Sequence, residues 1–563
     1  MSWKGAANLE QLRSTNPLLR FLGSPEMKAN WQAFEELYAR QGKHPASAGE
    51  QKPGTKRSRQ EIPWRELAPL LSNTGLLAVV LPVEAEETSS PPEPAGLLVY
   101  DRTGKEEALA ALEAKYRDPE ATSRRYEFDG VAITETVGAG GKPTEYAARL
   151  GRWVVYGDNK QVTEGWLQAL RAAPARSLKD VEVYQRARGL ADSNAQLEAF
   201  LNISLLARQL ERVPPQANSP SPAHLVEALG GNDFEAGVVS VSLEAARARY
   251  QVIFTPSASA SGLPSILSPA VREFPSLAFA PSGTVVYSVA EVNLTGAWAR
   301  LQQGLAAIAP PGQARLIQGF VAMAESLLGM KMEELLAAWG NELATISYSG
   351  SDGKLHSLRA FALRDRERVL VALANLQPVF GENVRIEELP GPAAGDDVTY
   401  LEFSARAPAG AADAQPFLYA ALSHQWALLA DDRSALEQAL HPMEAGQGLR
   451  GNPVFQQARS RFPAELTGFS FADAEQLLAS QNFAQWLDKL AQEMAHRAQQ
   501  ETETRRATGD APPPAAAEQP PVKQAQEITP PPLEFKIPQG YLKWLMSASS
   551  RDARGLFFTG IIE

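Results

Sequence analysis

The side chains able to do chemistry are few and scattered. Six histidines occur, His44, His224, His356, His424, His441 and His496. No two stand at the helical spacing of a metal site, and neither HExxH nor HxH is present, so no metal-ligating set is expected. His424 reads as a solvent-facing or capping neighbour of the strand at Trp426. Cysteine is absent, which removes disulfides, thiolate metal sites and cysteine nucleophiles. Gly138-Ala-Gly-Gly-Lys-Pro-Thr is the nearest approach to a phosphate loop. Thr136 stands where that pattern needs its first glycine, and Pro143 takes the Ser/Thr position that would hold magnesium. A glycine-rich hairpin turn is the expected reading. Ser351-Asp-Gly-Lys354 fits a bare Ser-x-x-Lys pattern, but it falls on a hairpin tip, where no shell would position a nucleophile. Asp158-Asn159 and Asp431-Asp432 stand after similar apolar segments. Each Asp is expected to cap the helix that follows rather than to hold a cation. Met323, Met330 and Met332 read as core filling. Lys56-Arg-Ser-Arg59 reads as a solvated basic loop. No catalytic, cofactor-binding or metal residues are assigned, and no cofactor is expected.

The elements that would position any site come from an internal repeat. Trp153-Val-Val-Tyr-Gly-Asp-Asn-Lys-Gln-Val resembles Trp426-Ala-Leu-Leu-Ala-Asp-Asp-Arg-Ser-Ala. Ser177-Leu-Lys-Asp-Val-Glu-Val-Tyr-Gln-Arg-Ala-Arg resembles Gly448-Leu-Arg-Gly-Asn-Pro-Val-Phe-Gln-Gln-Ala-Arg. Leu201-Asn-Ile-Ser-Leu-Leu is matched with Phe469-Ser-Phe-Ala-Asp-Ala. Upstream, Ile62–Leu71 precedes a strand at Leu76–Leu81 as Met330–Trp339 precedes one at Leu343–Tyr348. Two copies are therefore expected, residues 1–280 and 281–563. The second opens with a turn and strand from Pro281, followed by a helix with Leu294, Trp298, Leu301 and Leu305 on one face. In the first only the helical part, with Leu9, Leu12, Leu18 and Leu19, is legible, so the first copy is expected to lack its first strand.

Hairpin signals dominate the rest. Asp352-Gly353 suits a tight turn between strands at 344–349 and 355–363. Val238–Leu243 pairs with Arg249–Phe254, and Tyr541–Met546 with Gly555–Ile562, so each copy is expected to close with a hairpin. Two amphipathic helical faces are read, Leu316/Phe320/Met323/Leu327 and Phe483/Trp486/Leu490/Met494. The class is α+β, an antiparallel sheet with packed helices, rather than a doubly wound parallel sheet. Gln499–Pro532 carries eight prolines and is expected to be a disordered insertion. Shorter loops are expected at 44–60, 85–95, 213–222 and 255–269.

The chain has 563 residues, 44% hydrophobic and 21% charged, within globular averages. Lys+Arg is 54 against Asp+Glu 65, a net charge of −11, which argues against a nucleic-acid partner. No apolar run has transmembrane length. Cysteine avoidance suits an oxidising compartment. With the missing first strand, it favours an extracytoplasmic or envelope-associated protein whose signal or anchor lies outside this chain, over a cytoplasmic one.

Gly283-Thr-Val-Val-Tyr-Ser-Val, Met332-Glu-Glu-Leu-Leu-Ala-Ala-Trp-Gly-Asn-Glu-Leu-Ala, Trp426-Ala-Leu-Leu-Ala-Asp-Asp-Arg-Ser-Ala-Leu and Leu449-Arg-Gly-Asn-Pro-Val-Phe-Gln-Gln-Ala together resemble the domain of unknown function 3352. The likeness is best over 281–480 and weaker over 60–210. It implies a bacterial protein, often preceded by a signal or membrane anchor, and supplies no catalytic residues to transfer. The expected function is non-enzymatic binding or scaffolding in the cell envelope, with a protein or an extended envelope ligand as partner. A hydrolase whose Asp/Glu residues converge in a cleft, and a cytoplasmic assembly factor, are the alternatives.

Overall fold

The structure, a computed structural model, describes residues 2–3, 9–30, 32, 73–80, 94–116, 121–138, 141, 143–171, 177–211, 226–227, 230–257, 268–308, 311–350, 355–380, 384–390, 397–405, 416–440, 448–480 and 538–563. The segments 44–60, 62–71, 213–222, 351–354, 483–494 and 499–532 discussed above lie outside these residues, as do His44, His224, His441 and His496 and most of 85–95 and 255–269.

Among the described residues ten strands come from the first half of the chain: β1 (Ser2–Trp3), β2 (Gly75–Val80), β3 (Ala95–Asp101), β4 (Thr122–Phe128), β5 (Val131–Val137), β6 (Pro143–Leu150), β7 (Trp153–Gly157), β8 (Leu197–Asn202), β9 (Phe234–Leu243) and β10 (Ala248–Pro256). They pair in the order β4-β5-β6-β7-β3-β2-β1-β8-β9-β10. Ten more follow: β11 (Thr284–Glu291), β12 (Trp339–Ser349), β13 (Leu355–Leu363), β14 (Val384–Leu389), β15 (Thr399–Ala405), β16 (Pro416–Leu422), β17 (Trp426–Ala430), β18 (Gly468–Asp473), β19 (Trp544–Asp552) and β20 (Gly555–Ile562). Their order, β14-β15-β16-β17-β13-β12-β11-β18-β19-β20, is the same pattern. Every one of these pairings is antiparallel, and β10 pairs with β20, so all twenty strands form one sheet. Registers counted from the helix N-caps Asn202 and Asp473 make Gln251 the counterpart of Thr559, and these two residues face each other across β10 and β20. The pairing pattern therefore has a two-fold centre at that pair.

Local chemistry accounts for the hairpins. Asp129 and Gly130 join β4 to β5 with φ of 49° and 70°, the conformation that a two-residue turn needs to match strand twist. The glycine-rich stretch at 138 joins β5 to β6, as expected. At the centre, Gly560 lies opposite Tyr250, and a Cβ there would overlap the Tyr250 ring.

The helices named here, all among the described residues, are α1 (Leu9–Thr15), α2 (Pro17–Leu22), α3 (Glu106–Tyr116), α4 (Lys160–Arg171), α5 (Glu182–Leu190), α6 (Ile203–Leu210), α7 (Leu294–Ile308), α8 (Pro311–Leu328), α9 (Met332–Ala338), α10 (Arg366–Phe380), α11 (Arg433–Leu440), α12 (Pro453–Arg459) and α13 (Ala474–Ala479). This mixture of helices and antiparallel sheet is the expected α+β class. The largest core lies beneath α11 and α12. It joins Tyr287 and Val289 of β11, Ile346 of β12, Phe469 and Phe471 of β18, Trp544 of β19 and Phe455 of α12. Phe455 meets Phe471 edge-on at 5.3 Å and 83°, a favoured aromatic geometry.

Four local readings need correction. Ser2–Trp3 pairs with β2 and β8 as β11 pairs with β12 and β18, so two residues of a first strand are present where none was expected. The cap residues align Asn202 with Asp473, which places Phe200, not Leu201, in the β18-like apolar register. Asp158 and Asp431 do not cap the next helix. Asp158 accepts from the Gly96 N–H at 2.8 Å, and Asp431 from the Ser357 N–H at 3.2 Å, so each anchors the neighbouring strand. Capping falls to the following residue: Asn159 accepts from Val162 N–H and Asp432 from Ser434 N–H. Finally, Leu316, Phe320 and Met323 do share a face of α8, but they are 64%, 63% and 55% exposed, so Met323 is not core filling. Spacing shows that a helix face is apolar; it does not show what covers it.

Candidate functional site

Two equivalent loops flank the two-fold centre, and they differ by one residue type. In the first half the loop from α5 to β8 carries Asp192. Its backbone N–H donates to Gln251 Oε1 at 3.0 Å, and its carboxylate accepts from Ser242 Oγ at 2.7 Å. Burial pushes the Asp192 pKa up, but the Ser242 and Asn194 hydrogen bonds and the nearby Arg249 and Arg188 charges hold it below the usual carboxylate range. That loop is thereby fastened to the sheet. In the second half Pro463 stands at the equivalent place. Proline has no N–H and no carboxylate, so neither bond can form.

The second loop is held from behind instead. The Arg459 guanidinium donates to the carbonyls of Pro463 at 2.6 Å and Ala464 at 2.7 Å. Burial lowers the Arg459 pKa. Leu466 also pairs with Val271 through reciprocal backbone bonds of 2.8 and 2.9 Å. Standing off Thr559, this loop leaves a cavity of about 340 Å³ over the sheet seam. Gln251, Ala548 and Thr559 line it from the sheet, with Phe462, Pro463 and Phe557 as apolar contributors.

Four arginines line the cavity, Arg249, Arg461, Arg551 and Arg554, against Glu465 and Asp552 alone. Both acids have partners. Arg554 donates to Asp552 at 2.6 and 3.0 Å, which holds the Asp552 carboxyl below its usual range. Arg272 donates to Glu465 at 2.9 Å. Among the described residues no ion pair engages Arg461, and Arg249 Nε is buried without an acceptor. Guanidinium groups present rigid donor forks that match carboxylate and phosphate oxygens. The cavity thus favours an anion, in a chain whose net charge is −11.

A second cluster is acidic. Glu291 of β11 and Glu342 of β12 are directly opposite partners. Burial raises the pKa of both, and at Glu291 the nearby Glu342 charge raises it further. Glu342 is buried and accepts the Ser276 N–H at 2.8 Å, while Ser276 Oγ and Tyr287 Oη lie 2.6 Å apart. Glu342 therefore fastens the 3₁₀ turn Pro275–Phe279 to the sheet. Neither glutamate lines the seam cavity.

The residues weighed in the sequence do not converge on either place. His356 Nδ1 lies 3.7 Å from Asp431, and His424, largely exposed, pairs with Asp397. Among the described residues no group of three or more His, Asp or Glu could hold a metal ion, and no helix is long and apolar enough to cross a membrane. The seam arginines escaped sequence reading because they come from segments some 300 residues apart and follow no motif. Arg551 and Arg554, close together at the turn of the terminal hairpin, are the one signal the sequence offers.

Comparison with curated proteins and with solved structures finds no match. The match that exists is to a family model described as a protein of unknown function (DUF3352), over residues 29–487, and the chain belongs to that family.

Proposed function

We propose that this is a non-enzymatic binding or scaffolding protein of the bacterial cell envelope, built of two tandem modules, 1–280 and 281–563. Its seam cavity takes an anionic group, carboxylate or phosphate, of its ligand. The observation that carries the reading is the arginine-rich lining at the two-fold centre, with both lining acids already paired. The repeated pairing order supports the two modules, and the absence of cysteine supports an oxidising compartment. Calorimetric titration with inorganic phosphate and with an oligoglutamate peptide tests it. Saturable binding of one of them is expected, weakening as salt rises, and weakening at least tenfold in Arg249→Gln/Arg461→Gln. No binding of either probe overturns it.

One observation favours a hydrolase instead: Glu291 and Glu342 are paired carboxylates with raised pKa values, a pattern found at acid–base sites. The Ser276 hydrogen bond and the distance of the pair from the cavity lining weigh against it. Hydrolysis of chromogenic glycosides or esters, abolished by both Glu291→Gln and Glu342→Gln, would reverse the assignment.

A further inference from the structure

The strand registers give the seam cavity an order along its length. Arg249 stands at one end, in the row of Ile561. Gln251, Thr559 and Ala548 form the next row, and Phe557 and Ser550 the one after it. Asp552, paired with Gly555, closes the other end together with Arg554. Successive rows are two residues apart, so about 13 Å separates the Arg249 row from the Phe557 row.

Charge is placed unevenly along that length. At the Asp552 end Arg554 is engaged twice: it donates to Asp552, and its guanidinium carbon lies 5.7 Å from the centre of the Phe557 ring. Arg551 is engaged as well, and Glu465 is held by Arg272. Among the described residues, donors without an ion-pair partner remain on Arg461 and on Arg249, whose Nε is buried without an acceptor. Asp192, whose charge reaches Arg249, already accepts from Ser242. One anionic head therefore belongs with Arg249 and Arg461.

The sheet rows between the ends carry no charged side chain. Ala548 and Phe557 line them from the sheet, and Phe462, Pro463 and Leu466 from the loop. β20 is hydrogen-bonded to β10 on one side and to β19 on the other, so the main chain of the floor is already paired. A peptide would find no ladder to join there. The Gln251 Oε1 is taken by the Asp192 N–H. What remains for the body of a ligand is a mostly apolar trough.

We infer that the ligand of the seam cavity is an alkyl carboxylate of medium length. Its head sits on Arg249 and Arg461, whose guanidinium forks match the two carboxylate oxygens, and its chain lies along Ala548 and Thr559 toward the Phe557 ring. An extended chain advances about 1.2 Å per bond, so about eight to ten carbons reach from the Arg249 row toward the Phe557 row. The inference rests on the anion reading of this cavity and names the class of molecule that carries the anion.

The test titrates butyrate, octanoate and 1-octanol into the full chain, beside inorganic phosphate and the oligoglutamate peptide. Each buried methylene tightens binding about fourfold. The longer chain of octanoate, half covered in the trough, should therefore bind at least tenfold tighter than butyrate. Octanol, which has the chain without the charge, should bind at least tenfold more weakly than octanoate. Phe557→Ser should lower the octanoate-to-butyrate ratio at least threefold, and Arg249→Gln should weaken both acids alike. A smaller gain from butyrate to octanoate, or octanol binding as tightly as octanoate, overturns the inference while phosphate or oligoglutamate binding keeps the anion reading. An unchanged ratio in Phe557→Ser overturns the placement of the chain and the inference with it. If neither phosphate, oligoglutamate nor any carboxylate binds, the anion reading itself falls.

Discussion

Phe471 and Phe200 occupy the same register in β18 and β8, yet one lies fully buried in the largest core and the other is half-buried against a small cluster. Phe471 is fully buried, with Phe455 edge-on at 5.3 Å. Truncating such a side chain removes its transfer free energy and leaves a cavity, together about 3–5 kcal/mol. Phe200 is half-buried and keeps one comparable neighbour, Tyr184, at 5.1 Å and 85°. About half of the transfer contribution is already absent, and water can enter the space that truncation leaves. Phe200→Ala should therefore cost about 1.5–2 kcal/mol. Urea unfolding of the two variants, with hydrogen exchange to assign each transition to its half of the sheet, measures the difference. Equal costs in the two variants would refute the argument that Phe200 sits in a thinner core than Phe471.

Glu342→Gln keeps the Oε1 acceptor for Ser276 but cannot ionise. Because burial raises the folded pKa of Glu342, the wild type loses stability as pH rises from the ordinary glutamate range through that raised value. The variant should match wild type at pH 4 and melt higher at pH 8 by about 2 °C or more, and an equal difference at both pH values would contradict it. Gly560→Val places a side chain against the Tyr250 ring and should destabilise the β10–β20 seam by about 2–4 kcal/mol. Gly560→Val/Tyr250→Ala should recover part of that loss, which urea midpoints would show.

Much of the fold is legible in the sequence because it is local. Period-two apolar runs mark β9, β10, β12 and β13, and the Trp153 and Trp426 blocks are strands followed by an acidic turn and a helix. The recurrence of blocks in one order predicts the recurrence of pairing order, since equal elements with equal connections find equal partners. The strand-anchoring roles of Asp158 and Asp431 are not legible in the sequence, for a local reason. A carboxylate one residue before a helix cap has two backbone donors in reach, and only the neighbouring strand decides between them.

Other features are set by contacts between residues far apart in the chain, and periodicity carries no trace of them. No local pattern distinguishes Ser2–Trp3 as a strand; two residues gain that state only by lying between β2 and β8. The exposure of Leu316, Phe320 and Met323 depends on what else packs on α8, not on their spacing. The seam cavity needs β10 beside β20, and Pro463 where the other loop has Asp192. Sequence alone determined the class of the elements, because backbone propensity and side-chain alternation act over a few residues. Tertiary structure alone decided which arginines meet and which apolar side chains are covered, because those follow from chain segments brought together over hundreds of residues.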